Sequence, residues 1–420
     1  GEQLFIVDCQ ASKQKKQLLG EKSRGVICFR MFRNVVIGIS GGVDSAISAL
    51  LLKQKGYNVI GAFMKNWDEF DEMGACSGEQ DYRDAEYTCQ KLDIELHTVN
   101  YVKEYWNSVF SAFLEDYQNG LTPNPDILCN KYIKFDLFYK YATEQLQCDA
   151  IATGHYAKTS FGNFLQLYNA NGAVHLLIPR DTFKDQTFFL SGIQRHTLSR
   201  TMFPLGDALK QEIKALAREC GLERLAQKKE STGICFVGNR DFKQFIKEYI
   251  QPRTGHFVDI DNGKIVGTHE GIHTWTIGQR CRLASYLRPY FVAQKDVANN
   301  VIYVASGHEH PALYSDVIHA GAPNWLCNDP LSAGADVAGQ QLRCRFRFQH
   351  TKPLVDCVVE NSAKETGGVT ITLDKPLRAL TPGQYAVFYS ETACLGSARI
   401  VSACRRAEDR LAEVEILKPS

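Results

Sequence analysis

The chain has no Cys-x-x-Cys pair, although it contains 14 cysteines among 420 residues. This absence disfavours a zinc ribbon, a thioredoxin-type redox pair and the disulfide framework of a small secreted domain. We interpret most of the cysteines as small core residues of a protein from a reducing compartment.

Long apolar runs and a strong net charge are also lacking. No stretch approaches the roughly 18 uninterrupted apolar residues of a membrane-spanning helix. The formal net charge is +1, so any affinity for nucleic acid has to come from local clusters of basic residues. With 420 residues and 44% hydrophobic content, the chain is expected to form two or three globular domains.

The most informative segment, Val35–Ser45, lacks the Gly-Lys-Ser/Thr of a Walker A loop and the third glycine of a dinucleotide fingerprint. It nevertheless predicts a buried strand, a Ser-Gly-Gly turn and the start of a helix. That arrangement binds phosphate through backbone N–H groups and the positive end of the helix. A plain strand-to-helix turn is the alternative, but it would not need the whole Ser-Gly-Gly-x-Asp-Ser string. The predicted phosphate-binding residues are Gly38, Ile39, Ser40, Gly41, Gly42, Val43, Asp44 and Ser45.

Strands and helices alternate after this loop. The apolar patterns predict strands at Asn58–Met64, Ile94–Val99 and Ala150–Thr153, and helices at Asp81–Leu92, Val102–Tyr117 and from about Leu128 to Leu146. Such a βαβ rhythm predicts an α/β fold with a doubly wound parallel sheet, whose ligands bind at the carboxyl ends of the strands. Met64 and Gly154 lie at such ends, so we expect them near the base or ribose of a bound ATP.

The pattern changes near residue 240, where strands become short and turns frequent. From about residue 310 the chain is almost wholly strand-like, which predicts a small barrel or sandwich. We therefore predict a catalytic domain over residues 31–240, a small mixed central domain over 241–310 and a C-terminal β-barrel over 311–420. The basic residues 1–30 are either a targeting segment or an N-terminal extension.

The segment Thr122–Lys131 contains candidate catalytic groups. Asn124 is a plausible N-cap, with Pro125 at the first helical position. Cys129 would follow little more than one turn later, where the helix dipole favours the thiolate. Asp126 would lie in the first turn, placed to accept a hydrogen bond or a proton. Simple helix packing by Cys129 and a dipole interaction of Asp126 are equally compatible with this pattern.

A second candidate cysteine lies in Lys228–Gly238. Cys235 follows paired lysines, which would favour its ionisation, and the flanking glycines suggest a mobile loop. A buried, inert thiol explains the same residues equally well.

Taken together, these segments carry a family resemblance. Ser40–Ser45 resembles the pyrophosphate loop, or PP-loop, of the ATP pyrophosphatase superfamily. The fold of this superfamily is called adenine nucleotide alpha hydrolase-like. With Asn124–Lys131 and Ser231–Phe236 in this order, the chain closely resembles tRNA-specific 2-thiouridylases. Further matching segments are Phe63–Trp67, Ala152–Tyr156, Lys184–Gln186, Gly278–Arg280, Gly307–Pro311 and Thr381–Gln384. Phe183–Leu190 and His310–Tyr314 resemble the mitochondrial branch, which implies a mitochondrial location, or a cytoplasmic one if residues 1–30 are not a targeting segment.

The resemblance implies an enzyme, a tRNA-uridine 2-sulfurtransferase. ATP, with Mg²⁺ bridging its phosphates, would adenylate the 2-oxygen of the wobble uridine and release pyrophosphate. Cys235 would carry a persulfide supplied by a cysteine desulfurase relay and deliver sulfur to carbon 2. Cys129 would resolve the persulfide by forming a disulfide with Cys235, and Asp126 would act as acid or base. The resemblance implies no protein-held metal cluster, and the expected substrates are tRNAs for lysine, glutamate and glutamine.

A basic strand adds an RNA signal. In a strand, Arg343, Arg345 and Arg347 would share one face, opposite Cys344, Phe346 and Phe348. Aligned arginines suggest a polyanion partner, whereas a plain solvated edge is the alternative. The resemblance implies base contacts by Asn124, Pro125, Asp126 and His155, and tRNA contacts by Lys184, Asp185, Gln186, Arg347, Phe348 and Gln384.

The sequence departs from the family pattern at Cys281–Pro289, which lacks the usual glycine-rich run, and in a shortened region after His155. Two other functions fit the loop alone: a PP-loop synthetase acting on a small molecule, and a catalytically inactive tRNA-binding homologue. A small-molecule synthetase would not need the two cysteines, Cys129 and Cys235. The presence of Asp126, Cys129 and Cys235 disfavours the inactive homologue.

Overall fold

The computed structural model describes residues 32–67, 77–229, 237, 241–283, 288–332, 340–362 and 367–406. The N-terminal residues 1–30 and Cys235 lie outside the described residues. The chain forms two compact units. The first holds the described residues up to Ser108, those between Asp126 and Gly238, and Thr392–Cys394. The second holds Val109–Pro125, the described residues between Asn239 and Glu391, and those from Leu395 onward.

The first unit is built on a parallel sheet of strand order β3-β2-β1-β4-β7. Val35, Val36 and Ile37 of the central strand β1 are fully buried, which is typical of a strand covered on both faces. The predicted parallel sheet is confirmed. Its strands are β1 (Asn34–Gly38), β2 (Asn58–Lys65), β3 (Glu95–Asn100), β4 (Ala150–Ala152) and β7 (Thr201–Met202). Two short strands, β5 (Lys158–Thr159) and β6 (Leu176–Leu177), pair with each other.

Helices connect the parallel strands. Helix α1 (Val43–Gln54) buries Ala46, Ile47, Leu51 and Leu52, and α2 (Ser77–Leu92) follows later in the chain. The remaining helical segments up to residue 227 are Val102–Tyr105, Trp106–Phe110, Ser111–Gln118, Pro125–Leu128, Cys129–Leu137, Phe138–Lys140, Tyr141–Gln145, Thr187–Leu190, Arg195–Leu198, Lys210–Glu219 and Glu223–Gln227. The predicted helices over 102–117 and from 128 are thus present. Several of their turns are wider than α-helical.

The second unit begins with aromatic helix packing. Phe110 and Phe113 contact the rings of Phe245, Tyr249 and Phe242, which lie on or beside the helix Phe242–Lys247. A sheet of order β10-β11-β12-β8-β9 follows, antiparallel except where β12 pairs with β8. Its strands are β8 (Gly255–Asp259), β9 (Ile265–His269), β10 (Arg280–Cys281), β11 (Tyr290–Asp296) and β12 (Val301–Ser306), and short helical turns lie at Ile272–Thr274 and Pro311–Leu313.

The C-terminal part of this unit is a closed antiparallel barrel. Strand order is β13-β17-β16-β15-β18-β19, and β13 pairs with β19 to close the ring. The predicted barrel is confirmed. The strands are β13 (Tyr314–Ala320), β14 (Asn324–Trp325), β15 (Gln341–Arg347), β16 (Val355–Asn361), β17 (Val369–Arg378), β18 (Tyr385–Ser390) and β19 (Ala393–Cys404). Ala393 and Cys394 belong to the first unit, where they pair with β6.

Side chains that alternate along the strands fill the barrel. Phe346, Val359, Ile371 and Phe388 are fully buried members of its core. In the described part of the chain, no helix is long and apolar enough to cross a lipid bilayer.

The barrel core yields a stability prediction. Replacing the fully buried Phe346 by alanine leaves a large cavity, so Phe346→Ala should destabilise the barrel by about 3–5 kcal/mol. Denaturant unfolding followed by aromatic fluorescence measures this loss. The control is Phe183→Ala, because Phe183 is 93% exposed and its removal should leave stability unchanged. Equal stability of the two variants would contradict this account of the core.

Candidate active site

The predicted phosphate loop joins β1 to α1. Ile39 N–H donates to the Ala62 carbonyl at 2.8 Å, and Gly41 adopts a φ of +72°. The hydroxyls of Ser40 and Ser45 lie 3.3 Å apart, and Ser45 Oγ donates to the Gly42 carbonyl at 3.0 Å. The first N–H groups of a helix have no acceptor within the helix, and Gly42 has no side chain to cap them. The loop therefore has the form of an anion site.

Two glycines allow close backbone approach around this loop. A Cβ on Gly41 would lie 2.2 Å from the Asp81 carbonyl oxygen, which forbids any side chain there. A Cβ on Gly154 would lie 2.7 Å from the backbone nitrogen of Ser45. The end of β4 therefore packs directly on the start of α1, as expected from the position of Gly154.

Met64 lies on the other side of β1. Its Cε would be 3.1 Å from a Cβ on Gly38, so the methionine covers the last residue of the strand. The structure thus brings Met64 and Gly154, both predicted from strand ends, to the same edge of the sheet as the loop.

Asp44 forms the main charged contact of the loop. Its carboxylate accepts hydrogen bonds from Lys210 Nζ at 2.6 and 2.8 Å and from the Tyr156 hydroxyl at 2.9 Å. The backbone N–H of Lys210 donates to Asp181 at 2.8 Å, which fixes the start of the helix Lys210–Glu219. A buried lysine ammonium therefore lies beside the helix N-terminus, on the side where an anion would bind.

One carboxylate at the loop is a candidate ligand for Mg²⁺. Among the described residues, no group of three or more acidic, histidine or cysteine side chains could hold a metal by itself. Mg²⁺ commonly takes one or two carboxylates together with substrate phosphates. Asp44, at the first turn of α1, is such a carboxylate, but Lys210 Nζ contacts both of its oxygens, so Mg²⁺ would have to displace this ammonium.

The helical run from Pro125 carries Asp126 and Cys129. Cys129 is 3% exposed and begins the wide-turned segment Cys129–Leu137. Asp126 is solvent-accessible, yet the protein around it raises the pKa of its carboxyl; the positive charge of Lys134 opposes this shift.

His155 follows Gly154 and has a similar environment. Its Nδ1 lies 2.9 Å from Thr153 Oγ1, and its ring centroid is 5.6 Å from that of Phe135. Desolvation, with a smaller effect of the Lys134 charge, lowers the pKa of His155 to about 3. The imidazole is therefore neutral at physiological pH. Because Lys134 acts on both Asp126 and His155, the three groups belong to one electrostatic cluster.

Three family models match successive segments of the chain. Residues 33–239 match the family model of the tRNA methyl transferase HUP domain, 243–306 the tRNA methyl transferase PRC-barrel domain, and 315–400 the aminomethyltransferase beta-barrel domain. The chain is 64% identical over 373 residues to mitochondrial tRNA-specific 2-thiouridylase 1 of Drosophila melanogaster, covering 89% of this chain and 95% of that protein. The chain belongs to the tRNA-specific 2-thiouridylase family.

More distant members of the family match almost as completely. The human mitochondrial tRNA-specific 2-thiouridylase 1 is 46% identical, over 88% of this chain and 90% of that protein. The tRNA-specific 2-thiouridylase MnmA of Halalkalibacterium halodurans is 43% identical, over 90% of this chain and 96% of that protein. Among solved structures, the U34-tRNA thiolase NcsA of Methanococcus maripaludis aligns at 16% identity and a TM-score of 0.31, covering 56% of this chain and 69% of that chain.

In the second unit, the structure brings together two residues expected to contact tRNA. Asn124 Nδ2 donates to Gln384 Oε1 at 3.2 Å, and Gln384 Nε2 donates to the carbonyls of Thr122 and Pro123 at 2.9 and 3.0 Å. Gln384 therefore supports the segment that leads into the Asp126 helix.

Other residues expected to contact tRNA are buried or hydrogen-bonded within the protein. Asp185 is 2% exposed and accepts hydrogen bonds from the backbone and hydroxyl of Thr187, while Gln186 Oε1 accepts the Tyr156 N–H at 2.8 Å. Arg347 is also buried, donating to the Tyr389 hydroxyl at 3.0 Å, and Phe348 is 4% exposed. The tRNA contacts of these residues stay predictions, as does that of the partly exposed Lys184.

The arginines of β15 do not form one solvated row. Arg343 is exposed and pairs with Asp374 at 3.0 Å, and Arg345 donates to the Glu391 carbonyl. Arg347 is only 8% exposed, so it does not share the solvent exposure of Arg343. Its guanidinium lies over the Tyr389 ring, which compensates for the loss of water.

Most described cysteines are packing residues, as interpreted from the sequence. Seven of the ten described cysteines are buried. Burial raises the pKa of Cys89 to about 11 and that of Cys281 to about 12, which makes both thiols unreactive. Cys235, the predicted persulfide carrier, lies outside the described residues.

Sequence reasoning missed Lys210, Tyr156 and Lys134. Lys210 is 166 residues from Asp44, and no local pattern connects them. Lys134 could have been found, because it lies eight residues after Asp126 on the same helical run.

The His155 environment yields a titration prediction. With a pKa of about 3, its imidazole should stay neutral between pH 8 and 5, whereas an ordinary histidine titrates near 6.5. NMR of isotope-labelled histidine, assigned by loss of one signal in His155→Gln, measures this. Lys134→Met should raise the titration midpoint of His155 only part of the way towards 6.5, because desolvation lowers this pKa more than the Lys134 charge does. A wild-type midpoint near 6.5 would contradict the desolvated environment.

Proposed function

We propose that this protein is an ATP-dependent tRNA sulfurtransferase that converts the wobble uridine of tRNA to 2-thiouridine, with AMP and pyrophosphate as the other products. The observation that carries the proposal is the anion-binding loop Gly38–Ser45 with Lys210 beside it, in a chain 64% identical to a mitochondrial tRNA-specific 2-thiouridylase. The mitochondrial names of the relatives support a mitochondrial site of action.

The first step is activation of the uridine. Its 2-oxygen attacks the α-phosphorus of ATP, the O–P bond forms, and the bond to the β-phosphate breaks with departure of pyrophosphate. The loop N–H groups and the Lys210 ammonium stabilise the charge of the leaving group. Asp44 would hold Mg²⁺ in place of the Lys210 ammonium, and the metal would neutralise phosphate charge. Adenylation turns a poor leaving oxygen into AMP.

Asp126 is the base of this step. As the 2-oxygen attacks phosphorus, the uridine loses the proton on its N3, and the Asp126 carboxylate accepts it. The raised pKa of Asp126 makes it a stronger base than an ordinary carboxylate. His155 is neutral, so it contacts the base by hydrogen bonding without adding positive charge.

Sulfur transfer uses two cysteines. The terminal sulfur of a Cys235 persulfide, loaded by a protein persulfide donor of a cysteine desulfurase relay, attacks carbon 2 and AMP leaves. Cys129 thiolate then attacks the Cys235 sulfur and breaks the S–S bond. The 2-thiouridine departs with its sulfur and takes back at N3 the proton that Asp126 had accepted. The Cys129–Cys235 disulfide that forms is two electrons more oxidised than the two free thiols. A thiol reductant must reduce it before the next cycle.

The proposed substrate base lies in the anticodon loop of tRNA. The wobble base is already unpaired there, so turning it out of its stack costs little. Asn124 and Pro125 precede Asp126 and would contact that base, with Gln384 supporting them. The tRNAs for lysine, glutamate and glutamine are the proposed acceptors.

Cysteine variants test the two chemical steps separately. Cys235→Ser should abolish 2-thiouridine formation in a reconstituted reaction with tRNA, MgATP and a persulfide donor, while pyrophosphate is still released. Cys129→Ser should accept the persulfide but fail to release thiolated tRNA. The matched control is Cys89→Ala, because that buried thiol is inert and its loss should leave both steps intact.

The outcomes separate the alternatives. Thiolation by Cys235→Ser at the wild-type rate would contradict the persulfide assignment. Pyrophosphate release from wild type with a small acid or amide but not with tRNA would indicate a small-molecule synthetase. Binding of tRNA without any ATP turnover would indicate an inactive RNA-binding homologue.

A further inference from the structure

Lys228 lies behind the phosphate loop rather than at the ligand side. Its Nζ donates to the Gly41 carbonyl at 3.2 Å and to the carboxylates of Asp81 and Asp84 at 2.6 and 2.7 Å. From the sequence, Lys228 was expected to favour ionisation of Cys235. Its ammonium contacts the loop and two residues of α2, and its effect on Cys235, which lies outside the described residues, stays a prediction.

The contact with Gly41 controls a peptide group that faces the anion site. In a trans peptide, the carbonyl and the N–H of the next residue point in opposite directions. Holding the Gly41 carbonyl at Lys228 therefore turns the Gly42 N–H away from Lys228. A Gly-Gly peptide rotates easily, and its rotation would place a carbonyl oxygen where phosphate should bind. The Lys228 hydrogen bond opposes that rotation.

The surrounding charges balance. Asp84, with a side chain 3% exposed, also pairs with Arg224 at 2.5 Å, so two carboxylates face two cations. Burial lowers the pKa of Lys228, but the hydrogen bonds and charges of Asp81 and Asp84 outweigh this and raise it. The ammonium therefore stays protonated, and it acts on the loop through orientation rather than through excess charge.

We propose that Lys228 is a positioning residue for ATP, holding the Gly41–Gly42 peptide so that its N–H faces the triphosphate. This inference rests on the proposed function, because it requires a triphosphate at the loop. Lys228 touches no substrate and acts through the backbone of the loop.

Arg224 provides a matched control. Lys228→Met and Arg224→Met each remove one cation from Asp84 and leave the other, but only Lys228 contacts the loop. We expect Lys228→Met to weaken MgATP binding about tenfold or more, as for loss of a charged hydrogen bond, and to leave adenosine binding unchanged. Arg224→Met should bind both ligands like wild type. Calorimetric titration of the full chain without tRNA measures these affinities.

Several results would overturn the proposal. These are wild-type MgATP affinity in Lys228→Met, an equal loss of adenosine affinity, or an equal loss in Arg224→Met, which would reduce Lys228 to a structural role. If Lys228→Met does not fold, Lys228→Leu, which likewise has no side-chain donor, takes its place with the same expected loss. A wild-type protein that binds adenosine but not MgATP would reject the proposed function together with this inference.

Discussion

The site depends on backbone groups that approach each other more closely than any side chain allows. At Gly41 the Asp81 carbonyl occupies the place of a Cβ, and at Gly154 the start of α1 does so. These contacts fix the end of β4 and the beginning of α2 against one loop. The N–H groups at the start of α1 consequently face a common point, where they need no side chain to attract phosphate. Two ion pairs surround these backbone groups: Asp44 with Lys210, and Asp81 with Lys228.

Desolvation shifts the pKa values of Asp126 and His155 in opposite directions. Asp126 and His155 are accessible yet desolvated, so that the carboxyl becomes more basic and the imidazole stays neutral. Lys134 lowers the pKa of both groups, which limits the rise for Asp126 and adds to the fall for His155. A base and a neutral hydrogen-bonding group therefore arise in one cluster from the same desolvation, because burial disfavours whichever form is charged.

Local pattern was sufficient for much of this fold. Unbroken apolar runs such as Val35–Ile37 predicted the parallel sheet, and the almost wholly strand-like sequence from about residue 310 predicted the barrel. The loop, Met64 and Gly154 were predicted because strand ends converge at one edge of a parallel sheet. Lys210 and the burial of Arg347 were not predictable, since both depend on residues distant in sequence, Asp44 and Tyr389. Short motifs also do not reveal whether a polar side chain such as Asp185 serves the fold or a ligand.

The central claim is that this protein places sulfur on the wobble uridine of tRNA. Nucleoside mass spectrometry of mitochondrial tRNA from cells lacking the protein tests it most directly. The account predicts loss of the 2-thio group at the wobble uridine, restored by the wild-type protein and not by Cys235→Ser. Unchanged 2-thiouridine in both mitochondrial and cytosolic tRNA would contradict it.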